Sequence, residues 1–194
     1  MRRVIGIGET ILDILFKNNQ PTVAVPGGSV FNGLVSLGRA GANVTFISEV
    51  GGDHVGEIIL NFMKDNGIST DNVMVYADRK SPVSLAFLNE KNDAEYSFYK
   101  DYPSLRLDVD MPEVTSDDIV MFGSFYAITP QLRDKVKELL DKARKVGAII
   151  YYDVNFRSTH AHEAIKLMPT ILENFEYADI VRGSTEDFGN MFGI

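Results

Sequence analysis

Residues 26–56, PGGSVFNGLVSLGRAGANVTFISEVGGDHVG, decide the fold. A short apolar strand over 22–25 runs into Pro26-Gly27-Gly28, where Pro and Gly punctuate the chain. Ser29 reads as a helix N-cap, with the helix predicted over 29–40. Gly41 stands where a left-handed residue ends such a helix. Residues 44–50 read as a buried strand, closed by the turn Gly51-Gly52-Asp53. A second helix is predicted over 54–66, with Val55, Ile58, Ile59, Phe62 and Met63 on its apolar side and Gly67 as its stop. Asp53 is placed to cap that helix.

Working outward, 4–8 reads as a short buried strand and 11–16 as a second one carrying Asp13. Then the alternation breaks. Residues 73–76, 83–89 and 95–100 read as consecutive strands, with Lys91-Asn92-Asp93 as a polar hairpin turn. They predict a small antiparallel sheet inserted into the chain, with inserted strands at roughly 12–25 and 73–101. Alternation resumes after Pro112: strand 119–123, helix 130–146 stopped by Gly147, strand 148–153, helix 162–175 with Pro169 as a kink or boundary, and strand 179–181. Such alternation implies a three-layer α/β sandwich with a mainly parallel sheet. The last residues, 191–194, read as the start or body of a helix, so the domain is expected to be incomplete.

Composition excludes several classes. The chain has 194 residues, a net charge of −8 and a pI near 4.9, which argues against binding a nucleic-acid backbone. There is no cysteine, so disulfide scaffolds, thiolate metal sites and cysteine nucleophiles are out. His54, His160 and His162 offer little for a metal cage. Gly6, Gly8, Glu9 and Asp13 interrupt the apolar N-terminal residues, so a signal peptide is not expected. No apolar run approaches a membrane span, and a cytoplasmic location is expected.

In open α/β sheets, ligands bind beyond the carboxyl ends of the strands. Asp13, Gly27, Gly28, Asn32, Asp53, Asp153, Asn155 and Arg157 fall at or just past such ends. A carboxylate and an amide suit a polyhydroxy ligand, because Asp13 can accept from two hydroxyls while Asn32 donates and accepts. Simpler readings stand beside these. Gly27 and Gly28 could only form a turn, Asp153 and Asn155 could satisfy loop amides, and Arg157 could pair with a surface carboxylate. Gly6-Ile7-Gly8 could open a dinucleotide loop, but Ile11 occupies the place of the third glycine.

The same residues carry a resemblance to the pfkB/ribokinase family of carbohydrate kinases, closest to the fructokinases. GETILD resembles the family's first strand, in which the Asp, here Asp13, binds sugar hydroxyls. Residues 26–56 resemble its first signature, with Gly27, Gly28 and Asn32 at sugar-contacting positions. Val30 and Leu34 stand where the family has small residues. DVNFR, residues 153–157, is similar to the D-x-N-x-R element, which places Arg157 near the sugar or the transferred phosphate. ADIVRGSTEDF resembles the stretch before the ATP half, with Ser184 and Asp187 at the Asn and Glu of an N-x-x-E motif and Glu186 as a competitor.

The resemblance implies a ribokinase-like fold, ATP and Mg2+ as cofactors, and a lid that pairs two subunits into a homodimer. Phe98 and Asp101 are the lid residues implied nearest the sugar, and Asp187 would touch magnesium through water. The family's Gly-Ala-Gly-Asp turn, whose Asp is the general base, does not occur among the 194 residues. The chain alone is therefore expected to lack kinase activity and to represent the sugar-binding and lid part. The alternative is a non-catalytic sugar- or nucleoside-binding module. Fructose is the first choice of sugar, with ribose, 2-keto-3-deoxygluconate and a riboside open.

Overall fold

The computed structural model describes residues 2–90 and 94–193. Its strands are β1 (Val4–Ile7), β2 (Ile11–Lys17), β3 (Gln20–Gly27), β4 (Val44–Gly51), β5 (Ile68–Ser69), β6 (Val73–Tyr76), β7 (Val83–Leu88), β8 (Ala94–Tyr99), β9 (Ile119–Gly123), β10 (Ile149–Asp153) and β11 (Ile180–Arg182). Its α-helices are α1 (Ser29–Arg39), α2 (His54–Asp65), α3 (Arg133–Val146), α4 (Ala164–Tyr177) and α5 (Thr185–Phe192).

The main sheet runs β11-β10-β9-β1-β4-β5, with β6 also beside β4, and every pairing in it is parallel. Side chains alternate across a strand, so each central strand feeds two cores. Ile5, Ile7, Ile47, Val120 and Phe122 pack with Val136, Leu139 and Leu140 of α3 and Ile171 of α4. Val4, Val44 and Phe46 pack on the other side with Phe31 and Leu34 of α1 and Ile59 and Met63 of α2. These are the three layers the alternation predicts.

The second sheet, β3-β2-β7-β8, is inserted between β1 and α1 and again between β6 and β9. Two expectations change here. First, this sheet is mixed, because β2 and β7 run parallel while β2–β3 and β7–β8 are antiparallel. Second, residues 73–76 do not belong to it. They form β6, paired with Ser48–Gly51 of β4. β5 covers only Val44 and Thr45, so the rest of that edge was open to pairing, and Val73 is buried in the α1/α2 core. The small sheet therefore comprises 11–27 and 83–99. The proposed hairpin turn at Lys91-Asn92-Asp93 lies outside the described residues.

At α1 the cap is Gly28, not Ser29. Gly28 has φ 141°, a conformation that favours glycine, and a side chain there would strike the Glu9 carbonyl. Helix α4 passes through Pro169 rather than ending at it. The Ile165 carbonyl, which loses its helical partner, sits on a residue that is 93% exposed, where water can reach it. The residue pair Gly6 and Gly8 is no nucleotide loop. A side chain at Gly6 would overlap Leu34, and one at Gly8 would lie 3.0 Å from Val30. Bulky Val30 and Leu34 are thus seated on Gly8 and Gly6, buried on the sheet side of α1.

Candidate sugar site

Asp13 lies on β2, opposite Val25 of β3 and Ser84 of β7. The Ser84 hydroxyl donates to its carboxylate, and a side chain at Gly27 would collide with that carboxylate. Burial pushes the Asp13 carboxyl above its usual range; the Ser84 bond opposes this and the nearby Glu9 charge adds to it. Phe98 of β8 is the register partner of Ser84. Asp13, Ser84 and Phe98 therefore stand in one row on one face of the small sheet, each about 4.8 Å from the next strand.

Helix α1 begins beside this row. Its first turn has free backbone N–H groups after Gly28. Asn32 is exposed one turn in, three residues after Ser29 and so on the same helical face. Ser29 donates to Asp153 at 2.9 Å, and Arg182 donates to the other Asp153 oxygen at 3.0 Å. Asp153 is buried with both oxygens engaged, which makes it a brace between β10, β11 and α1. Beyond it, Asn155 holds φ 41° and Arg157 is exposed just before the 3-10 turn Ser158–Glu163. Sparsely populated backbone of this kind clusters at ligand sites. Ser124, at the end of neighbouring β9, shows it too, with φ 53°.

Asp53 caps α2 as expected, accepting from Gly56 at 3.0 Å. It also accepts from the Ser81 amide at 3.1 Å and the Ser81 hydroxyl at 2.7 Å. Burial disfavours its charge, but these bonds outweigh burial and hold its carboxyl below the usual range. Next to it is a cavity of about 510 Å³ bordered by Lys80, Phe98, Lys100 and Asp101. Asp101 accepts from Arg79 and from the Lys80 amide, both at 3.3 Å. Phe98 and Asp101 thus meet at this cavity, whose lining includes neither Asp13 nor Asn32.

A model of the pfkB family carbohydrate kinases matches residues 1–194. The chain belongs to that family. It is 26% identical to probable fructokinase-6, chloroplastic, of Arabidopsis thaliana, over 95% of this chain and 51% of that protein. The fold matches the crystal structure of fructokinase from Vibrio cholerae O395 with fructose, ADP and calcium, with a TM-score of 0.84 at 19% identity, covering 100% of this chain and 63% of the other. It also matches aminoimidazole riboside kinase from Salmonella enterica, complexed with aminoimidazole riboside and an ATP analogue, with a TM-score of 0.81 at 21% identity, covering 100% and 63%. At these identities the structures speak for the ribokinase-like fold alone. The chain spans about half to six-tenths of the length of the curated relatives it matches, 51% and 62% for two of them.

The residues expected on the nucleotide side lie at the start of α5. Ser184 and Glu186 are exposed there. Asp187 is buried and closes a capping box: one oxygen accepts from the Ser184 amide at 2.7 Å and the Ser184 hydroxyl at 2.8 Å, and Ser184 accepts from the Asp187 amide. Among the described residues no group of three or more His, Asp or Glu could hold a metal ion. No helix of the described residues is long and apolar enough to cross a membrane.

Sequence reasoning missed Ser84, Ser81 and Glu9. Glu9 accepts from Lys100 at 2.7 and 2.9 Å and from the Tyr102 hydroxyl at 2.6 Å. It also missed buried Glu49, which takes Arg106, Tyr76 at 2.8 Å and Tyr126 at 3.4 Å. A buried carboxylate inside an apolar strand such as VTFISEVG was the one available signal for Glu49.

Proposed function

We propose that this chain is the sugar-binding and lid part of an ATP-dependent, fructokinase-like sugar kinase. The observation that carries the proposal is the row Asp13–Ser84–Phe98 lying beside the start of α1, with Gly27 packed against the Asp13 carboxylate. Asp13 accepts hydroxyl protons from the sugar, and Asn32 donates and accepts. Gly27 and Gly28 keep side chains out of the space the sugar fills. Phe98 offers an apolar ring face, Asp101 holds the lid end to Arg79 and Lys80, and Asp153 and Asn155 shape the rim. Arg157 supplies positive charge toward the sugar or the transferred phosphoryl group, where charge stabilisation accelerates transfer. Ser184 and Glu186 face the nucleotide; Asp187 secures the start of α5.

Asp13, Val23, Val25, Tyr96 and Phe98 share one face of the small sheet. Tyr96 and Phe98 are 53% and 55% exposed and stack at 5.8 Å. That apolar face supports a homodimer through the lid, with a second copy as its occupant. A cytoplasmic location completes the proposal.

Calorimetry with fructose, ribose and a riboside, with and without ATP, tests it. Fructose binding that Asp13→Ala abolishes is expected. Absence of any sugar binding would end the reading. The alternative reading is a non-catalytic sugar-binding module. Sugar binding without nucleotide binding or ADP release would select it.

A further inference from the structure

We propose that Glu9 is a positioning residue, holding the outer strand of the small sheet over the sugar rim through Lys100 and Tyr102. Glu9 follows β1, at the ligand end of the main sheet, with its carbonyl packed against Gly28 at the start of α1. Its side chain reaches the other body of the molecule. Both of its carboxylate oxygens take the Lys100 ammonium, and one takes the Tyr102 hydroxyl.

Strand β8 needs such a tie. None of its six residues is buried, and among the described residues it pairs with β7 alone. Lys100 is the first residue past β8, and its ammonium lies 5.2 Å over the Phe98 ring. One ion pair therefore sets both where the strand ends and where Phe98 stands. The chain beyond has its own anchor. The Arg106 guanidinium stacks 3.6 Å from the Tyr102 ring and pairs with buried Glu49, and the Leu107 amide donates to Tyr76 at 2.7 Å. Loss of Glu9 would free the end of β8 while residues 106–107 stay fixed. The Glu9–Lys100 pair is only partly buried, at 25% and 35% side-chain exposure, so it can open without unfolding the core.

The sugar half of this inference rests on the kinase reading above; the strand half does not. Glu9→Gln, Lys100→Met and the charge-swapped double variant Glu9→Lys with Lys100→Glu are compared by amide hydrogen exchange without ligand. Exchange in β8 and at residues 100–102 should accelerate about tenfold in each single variant, with β4 and β10 within about twofold of the parent. The swapped pair should restore protection. Unchanged β8, uniform acceleration in both sheets, or no rescue overturns the proposal. Fructose titrations read the sugar half: each single variant should bind about fivefold or more weakly, with recovery in the swap. Unchanged affinity in the single variants overturns that half. A parent that binds no sugar removes the kinase reading, and exchange alone then decides the role of Glu9.

Discussion

Strand β4 and strand β8 are built from similarly apolar, strand-forming residues, yet all eight residues of β4 are buried and none of β8 is. β4 lies between β1 and β5/β6, with α1 and α2 packed on one side and the α3/α4 core on the other. β8 is the edge of a sheet whose face carries Asp13. Burial on both faces makes the main sheet the source of stability. The small sheet keeps aromatic surface open, an arrangement suited to a ligand or a second subunit.

The contrast can be broken most directly by truncating one aromatic ring from each region. Phe122→Ala should cost about 3–5 kcal/mol in denaturant unfolding, because its ring is fully buried between β9 and the helices. Phe98→Ala should change stability by about 0.5 kcal/mol or less while weakening fructose binding. Equal losses at the two sites would erase the distinction drawn here.

Arg3→Ala should cost about 1–3 kcal/mol. Arg3 fastens β1 to the start of β9 through Asp118, at 3.1 and 2.7 Å. Burial opposes charge on Asp118, but the Arg3 and Thr115 hydrogen bonds prevail and depress its carboxyl below the ordinary range. The Asp118 contribution is complete above the unfolded value, about 3.9, and disappears as pH falls through the lower folded value. An acid titration of the melting temperature should show this loss in the parent and a shallower one in Arg3→Ala.

Ser184→Ala removes the hydroxyl half of the α5 capping box, leaving the bond from its own amide to Asp187, and should cost about 1 kcal/mol, read from chemical unfolding. Asp13→Asn should give the smallest change, and in the opposite direction. The folded Asp13 carboxyl titrates above the unfolded one, so stability declines as pH rises through that window. An amide cannot ionise, so the variant should melt slightly higher than the parent at neutral pH, with the difference vanishing below about pH 4. Its fructose binding should be lost. A less stable Asp13→Asn would mean that the carboxylate serves the fold rather than a ligand.

Much of the fold was legible in local pattern. Apolar runs of four to eight residues, helical spacing and glycine stops located most elements within about two residues. The assignment of 73–76 failed because a four-residue strand carries no mark of its partner, and the free edge of β4 exists only in three dimensions. The N-cap was misplaced by one residue because Ser29 is a good cap by type, and its bond to Asp153, 124 residues away, cannot be read locally. At the candidate site, Asp13, Gly27 and Gly28 were visible in their motifs, and so was the capping role of Asp53. Ser84 was not, since an isolated serine in a strand looks like any surface hydroxyl until the parallel register with β2 sets it against Asp13.

By itself the sequence determined periodicity, breaks and motif order, because these depend on neighbouring residues and on steric limits of the backbone. From them came the three layers, the inserted sheet and the kinase family. Tertiary structure alone decided which strand edges met, which carboxylates found cations, and which bridged separate elements. Those outcomes depend on distances between residues far apart in the chain, such as Glu9 with Lys100 and Ser29 with Asp153, and no local pattern encodes them.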